Sequence, residues 1–103
     1  MRKSAYLALV LVVGLLTMAP LAGAAEKYFV GAVDSSWSNA ENWSSTSGGS
    51  GGAGAPVSGD TAIFDANSPS CVLDADPTVD ALKLDAGFTG SVDANGRALT
   101  INY

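Results

Sequence analysis

The second half of this chain alternates short apolar runs with turn-forming residues at a nearly constant interval, and this spacing limits the folds that it can adopt. Residues at the centres of successive runs lie nine or ten positions apart; they are Ile63, Val72, Leu82, Val92 and Ile101. Gly, Asp, Asn, Ser and Thr separate the runs. After Ala24, no segment has the periodicity of an amphipathic helix. The pattern therefore predicts an all-β fold.

Two all-β architectures agree with this spacing. In a β-solenoid, or parallel β-helix, each rung buries its apolar side chains against the next rung, so strands stay short and turns recur. In a small β-sandwich the same spacing comes from hairpins. Asn95-Gly96 is the best hairpin signal, because both residues tolerate positive φ. The same pair also suits a solenoid corner, so the spacing leaves both architectures open.

Six strands are expected from the apolar runs and the turn residues between them. Their predicted ranges are 27–33, 61–64, 71–73, 79–84, 90–93 and 98–103. In the last of these, Leu99, Ile101 and Tyr103 share one face, because side chains alternate along a strand.

The chain opens with the features of a secretory signal peptide. Arg2 and Lys3 are followed by an uncharged, mainly apolar run at 5–18, and small residues at 22–24 offer a cleavage site after Ala24. A transmembrane anchor needs about 20 apolar residues, and this run is shorter. We therefore expect a secreted or cell-surface protein with no membrane insertion after cleavage.

Cleavage there leaves a mature chain of 25–103, enough for one small domain. Cys71 is the single cysteine, so no internal disulfide can form, and the absence of His argues against a zinc site. The mature part sets three basic residues against ten carboxylates. This acidic balance argues against nucleic acid as a partner and disfavours binding to an anionic membrane.

Four segments follow from these features. They are a signal peptide at 1–24, an N-terminal strand with a Trp cap at 25–43, a Gly/Ser loop at 44–55 and β-rungs at 56–103. The loop is of low complexity, so it is expected to be flexible and unpacked.

The mature chain contains several short sequence motifs in a distinctive order. They are WSNAENWS, a Gly-rich loop, APVSGDTAIFD, CVLD, TVDALKLDAGFTGSV and GRALTI. The order of Asn42-Trp43, Pro56 and Gly59-Asp60 resembles the opening rungs of exported bacterial β-solenoid proteins, including autotransporter-like and adhesin-like surface proteins. The resemblance implies solenoid rungs behind an N-terminal cap, and a non-catalytic role in adhesion or surface display. Proteins of this kind run for many rungs, so further β-rungs of a longer chain are an implied partner.

Five residues are candidates for the cap: Trp37, Asn42, Trp43, Gly59 and Asp60. The two Trp side chains can cover the open end of a β stack, which would otherwise expose apolar groups and unpaired backbone. Gly59 permits a tight turn, and Asp60 can accept backbone N–H bonds there. The alternative is a secreted carbohydrate-binding module, in which Trp37, Trp43 or Tyr28 stacks on the sugar rings of a surface glycan.

The aspartates are candidates for a calcium site, since carboxylates in turns suit this cation. They are Asp74, Asp76, Asp80, Asp85 and Asp93. Neither EF-hand spacing nor a calcium-binding repeat is present, so solvated turn residues and no cofactor are expected.

Catalysis is not expected from this sequence. Asp74 and Asp76 share a strand face in the manner of a glycosidase pair, but such a pair needs a cleft. Cys71 lacks an imidazole partner. It is expected to pack as a small hydrophobe or to form a disulfide between chains. Asn42-Trp43-Ser44 fits the N-glycosylation pattern.

Overall fold

The computed structural model describes residues 25–102, which form eight short strands and one 3₁₀ helix. The elements are β1 (Glu26–Phe29), the 3₁₀ helix (Ala40–Asn42), β2 (Trp43–Ser44), β3 (Thr61–Phe64), β4 (Cys71–Val72), β5 (Thr78–Val79), β6 (Ala81–Leu84), β7 (Val92–Asp93) and β8 (Thr100–Ile101). The predicted all-β class is confirmed. The predicted signal peptide and Tyr103 lie outside the described residues.

The strands form one mixed sheet and two parallel pairs. In the mixed sheet the order is β2-β1-β3-β6, with β2 antiparallel to β1 and the other pairings parallel. β4 pairs with β7 and β5 with β8, both in parallel. Directly opposite residues are Thr61 and Ala81, Cys71 and Val92, and Thr78 and Thr100. The chain thus returns to each sheet in the same direction after nearly the same length.

The prediction of one continuous strand at 79–84 is wrong. The chain forms two strands there, β5 and β6, which are separated at Asp80. The Asp80 N–H donates to the Asp60 carbonyl at 2.9 Å, and the Asp80 carboxylate accepts the Gly59 N–H at 3.0 Å. These bonds turn the chain from one sheet into another. Sequence spacing missed the corner because both partners of Asp80 belong to a turn that is distant in sequence.

The strand predicted at 27–33 ends earlier, at Phe29. Beyond it, the N–H groups of Val30 and Gly31 both donate to the Asn42 carbonyl, and Gly31 has a φ of 57°. This left-handed conformation takes the chain out of the sheet. Gly is suited to the position because few other residues adopt this conformation readily. The strands predicted at 90–93 and 98–103 are likewise reduced to β7 and β8.

The turn at Asn95-Gly96 adopts positive φ at both residues, 52° and 75°, as predicted. It does not form a hairpin, because β7 and β8 pair with β4 and β5 and not with each other. The Asn95 side chain donates to the Leu73 carbonyl at 3.2 Å, which holds this turn against an earlier one. Asn95-Gly96 therefore joins two sheets.

The Gly/Ser loop packs against the protein, contrary to expectation. The Ala53 N–H donates to the Trp43 carbonyl at 2.9 Å, and the Gly54 N–H donates to the Ala40 carbonyl at 3.2 Å. Gly51 approaches the Glu41 carbonyl so closely that a side chain at this position would collide with it. The glycines therefore let the loop lie along the 3₁₀ helix.

Aromatic rings dominate the core. Phe64 contacts four others, Phe29, Trp37, Trp43 and Phe88, with ring centroids 5.3–5.9 Å apart. The two indoles meet edge to face at 4.9 Å, and Trp43 Nε1 donates to the Trp37 carbonyl at 2.7 Å. Cys71, Leu73 and Val79 extend this cluster.

The part of the chain that the structure describes contains no helix long and apolar enough to cross a membrane.

Replacing Phe64 with Ala should destabilise the fold more than any exposed apolar substitution. Loss of a buried Phe side chain costs about 3–5 kcal/mol, a large share of the roughly 5–15 kcal/mol that holds a typical domain together. The free energy of unfolding from urea titration measures the effect. Leu84→Ala is the control, since Leu84 is 56% exposed and its loss should cost about 0.5 kcal/mol or less. Equal effects of the two substitutions would contradict the assignment of the core.

Candidate functional site

Asn42 is a fully buried amide whose hydrogen-bonding groups are all used. Its Oδ1 accepts the N–H groups of Val33 and Asp34 at 2.9 and 3.1 Å. Its Nδ2 donates to Asp34 Oδ1 at 2.6 Å and to the Ser36 carbonyl at 2.8 Å. The amide thus binds the loop that follows β1 to the start of β2. A buried amide satisfied in this way specifies one loop conformation, because any other would leave its polar atoms unpaired.

Asp34 is the charged member of this network. Its Oδ1 also accepts the Ser36 N–H at 3.0 Å and the Ser36 hydroxyl at 2.8 Å. The hydrogen bond from Asn42, followed by those from Ser36, lowers the pKa of Asp34 from 3.8 to about 2. Donors directed at a carboxylate stabilise its charged form, so Asp34 is ionised wherever this loop is folded at ordinary pH.

The two Trp side chains lie in the core, where Trp37 is 1% and Trp43 is 0% exposed. Neither ring presents a face to a sugar in this conformation. Trp43 belongs to β2, the outer strand of the mixed sheet beside β1. Trp37 follows the point where Ser36 pairs in parallel with Val72. Trp37 Nε1 is buried without a hydrogen-bond partner among the described residues.

Asp60 is a buried carboxylate at the beginning of β3, 1% exposed. It accepts the Val57 N–H at 3.0 Å and the Ala25 N–H at 3.1 Å, and Lys27 Nζ lies 3.4 Å from it. Gly59, with a φ of 101°, forms the tight turn that precedes it. The expected roles of a turn glycine and of a carboxylate that accepts backbone N–H bonds agree with these contacts.

The five predicted cap residues form two groups at opposite ends of β1. Trp43 lies opposite Phe29, where β1 ends, with Asn42 and Trp37 beside it. Asp60 and Gly59 lie near Ala25, where β1 begins. The structure therefore does not bring them into one site.

The five aspartates proposed for calcium are spread over separate turns. Four of them each accept one backbone N–H group: Asp74 from Ser38, Asp76 from Ala98, Asp80 from Gly59 and Asp93 from Asn95. The fifth, Asp85, has a carboxylate oxygen 3.8 Å from Lys83 Nζ. The hydroxyl and N–H of Ser38 lower the pKa of Asp74. Within residues 25–102, no three His, Cys, Asp or Glu side chains are placed to hold a metal ion. Asp74 and Asp76 line no cleft, since no pocket is found among the described residues.

Three of these carboxylates join turns that are far apart in sequence. The bonds from Ser38 to Asp74, from Gly59 to Asp80 and from Ala98 to Asp76 span 36, 21 and 22 residues. A neutral bond of the same kind runs from the Ser91 N–H to the Ser70 hydroxyl across 21 residues. We call these four bonds the turn ladder. It gives the acidic turn residues a structural role.

Cys71 is fully buried at the beginning of β4. Burial, with a smaller contribution from the charge of Asp74, raises the pKa of its thiol to about 12. A protonated, enclosed thiol is inert. The position therefore favours the packing role of Cys71 over a disulfide between chains.

Several residues of these networks were not anticipated from the sequence. Asp34 and Asn39 lie in local motifs that the sequence does signal, an Asp-Ser-Ser turn and the N-cap of the 3₁₀ helix, where Asn39 accepts the Glu41 N–H. Lys27 and Ser38 carry no local signal, because their partners lie far along the chain.

Comparison of the chain with protein-family models, curated proteins and solved structures finds no match.

Replacing Asn42 with Ala should unfold the loop after β1. The N–H groups of Val33 and Asp34 lose their acceptor, and both of these hydrogen bonds are part-buried. A fully buried unsatisfied donor costs about 1–3 kcal/mol, so with partial access to water a total loss of about 1–3 kcal/mol is expected in the free energy of unfolding. Asn67→Ala is the matched control, since the Asn67 side chain is exposed and donates only to the Ser47 hydroxyl. An Asn42→Ala protein as stable as Asn67→Ala would refute the role of this amide.

Stability should fall in acid through Asp34. Its pKa is depressed in the folded chain, so its contribution is present above pH 3.8 and is lost as the pH falls toward 2. Asp34→Asn should therefore flatten the pH dependence of the melting temperature between these limits. Melting curves of the two proteins at matched ionic strength test this, and parallel pH profiles would contradict it.

Proposed function

We propose that this chain is a short segment of a parallel β-solenoid. The observation that carries the proposal is the set of parallel pairings in three separate sheets, each of which joins strands at nearly the same separation along the chain. Strands β3, β4 and β5 would form one coil and β6, β7 and β8 the next, with β1 and the bridge at Ser36 in the coil before them. The turn ladder supports this arrangement, because its bonds join equivalent corners of neighbouring coils.

The two ends of such a stack differ. At one end, β2 runs antiparallel to β1 and interrupts the parallel pairing. Such a strand acts as a cap, since a coil cannot be added in register beyond it. At the other end, β6, β7 and β8 are each the last strand of their sheet. Exposed sheet edges readily pair with another strand, so this end is suited to further β-rungs.

In function, the chain is an exported structural segment that acts in adhesion or surface display and performs no catalysis. The signal-like opening, the acidic mature composition and the order of Asn42-Trp43, Pro56 and Gly59-Asp60 support this proposal. The burial of Trp37 and Trp43 supports a role in the core, and sugar binding by these rings would require them to leave it.

A glycan array separates the structural role from the carbohydrate-binding alternative. The processed chain and its Trp37→Phe variant, which keeps a ring in the core, are applied at equal concentration. We expect no sugar preference that depends on Trp37. Specific binding that Trp37→Phe abolishes, with an unchanged circular dichroism spectrum, would establish the carbohydrate-binding module instead.

Antibody labelling of intact producing cells and of their medium tests export, and a protein confined to the cell interior would contradict it.

A further inference from the structure

The first described residue, Ala25, is held at both of its backbone polar groups. Its N–H donates to Asp60 Oδ1 at 3.1 Å, and its carbonyl accepts the Thr61 N–H at 2.9 Å. The carboxylate that it meets is 1% exposed. The nitrogen of Ala25 thus already contacts a buried carboxylate in the uncleaved chain.

Signal cleavage after Ala24 would convert this nitrogen from an amide into a charged α-ammonium. We propose that the new N-terminus forms an ion pair with Asp60 and that this pair makes the processed protein more stable than its precursor. The inference rests on the cleavage site that the proposed export implies. It assigns Asp60 a role that begins only at maturation.

The surroundings of Asp60 favour such a pair. In the uncleaved chain Lys27 Nζ is the one cation in ion-pair contact with it among residues 25–102, at 3.4 Å. The Val57 N–H fixes the second carboxylate oxygen, and the Asp60 carbonyl accepts the Asp80 N–H. The carboxylate is therefore held in place by contacts that do not involve Ala25. A partly buried charge with a fixed partner is screened less by solvent than a surface pair.

The consequence is a link between processing and folding. The ion pair joins the beginning of β1 to the corner before β3, and the Asp60 carbonyl joins that corner to Asp80 before β6. Ala25 carries no positive charge in the precursor, so there this junction depends on a neutral hydrogen bond and on Lys27. Cleavage adds the second cation at the point where three strands of the mixed sheet begin.

The experiment compares three forms in the same mild detergent: the full chain 1–103, the processed chain 25–103, and the processed chain acetylated at Ala25. We expect the processed chain to melt about 4–8 °C above the other two forms. Acetylation keeps the N–H and removes only the charge, so it isolates the ion pair. Equal melting temperatures for the free and acetylated chains would overturn the inference.

Asp60→Asn made in the free and acetylated chains completes a double-mutant cycle. The difference in melting temperature between the two chains should vanish in this background, and its persistence would show that another group pairs with the α-ammonium. Asp60→Asn is itself expected to destabilise the protein, because the buried carboxylate also holds Val57 and Lys27.

A pH series on the free and acetylated chains avoids substitution altogether. An α-ammonium has a pKa of about 7.7–8.0, and a facing carboxylate raises it. The advantage of the free chain should thus be complete below about pH 7.7 and disappear as the pH rises through the elevated value. Lys27 and Asp80 are present in both chains and cancel in the difference, whereas the pair requires the charged carboxylate of Asp60, so the series is confined to neutral and alkaline pH. An advantage that does not change with pH contradicts the inference.

N-terminal sequencing of the exported protein separates this inference from the proposed function. An exported chain that begins at a residue other than Ala25 would overturn the inference and leave export intact. A chain that is never exported would overturn the proposed function itself.

Discussion

The packing of Phe29, Trp37, Trp43 and Phe64 into one cluster is the interaction on which the rest of this structure depends. A chain with one cysteine and no internal disulfide must obtain its stability from burial. The four rings come from β1, the loop after it, β2 and β3, so their contact brings β1, this loop and β2 together with β3. Away from this cluster burial decreases quickly, and Leu84 and Ile101 in the last strands are 56% and 39% exposed.

Polar contacts then determine which strands pair. Aromatic packing is weakly directional, whereas Asp60, Asp74, Asp76 and Asp80 each accept an N–H group from a particular residue that is distant in sequence. Charged acceptors form stronger hydrogen bonds than neutral ones. These contacts therefore fix the register between paired strands that are themselves very short. The acidic composition of residues 25–102 is in this sense architectural.

The part of the fold that could be predicted from sequence is the part that depends on local patterns. Alternation and spacing predicted the all-β class, the strand at Thr61–Phe64 and the positive φ of Asn95-Gly96, because each depends on residues close in sequence. The corner at Asp80 could not be predicted, since it depends on bonds to the distant turn at Gly59 and Asp60. For the cap residues, burial and turn contacts could be anticipated, but their division between the two ends of β1 depends on the sheet order.

Successive stretches of the chain, nearly equal in length, pair in parallel in three separate sheets. The most direct test is a nuclear Overhauser spectrum of the isotope-labelled protein, read for contacts between backbone protons of neighbouring strands. Parallel pairing predicts cross-peaks that join Ala62 to Leu82, Cys71 to Val92 and Thr78 to Thr100. Cross-peaks that instead join β7 directly to β8 across Asn95-Gly96 would establish a hairpin and contradict the stacked arrangement.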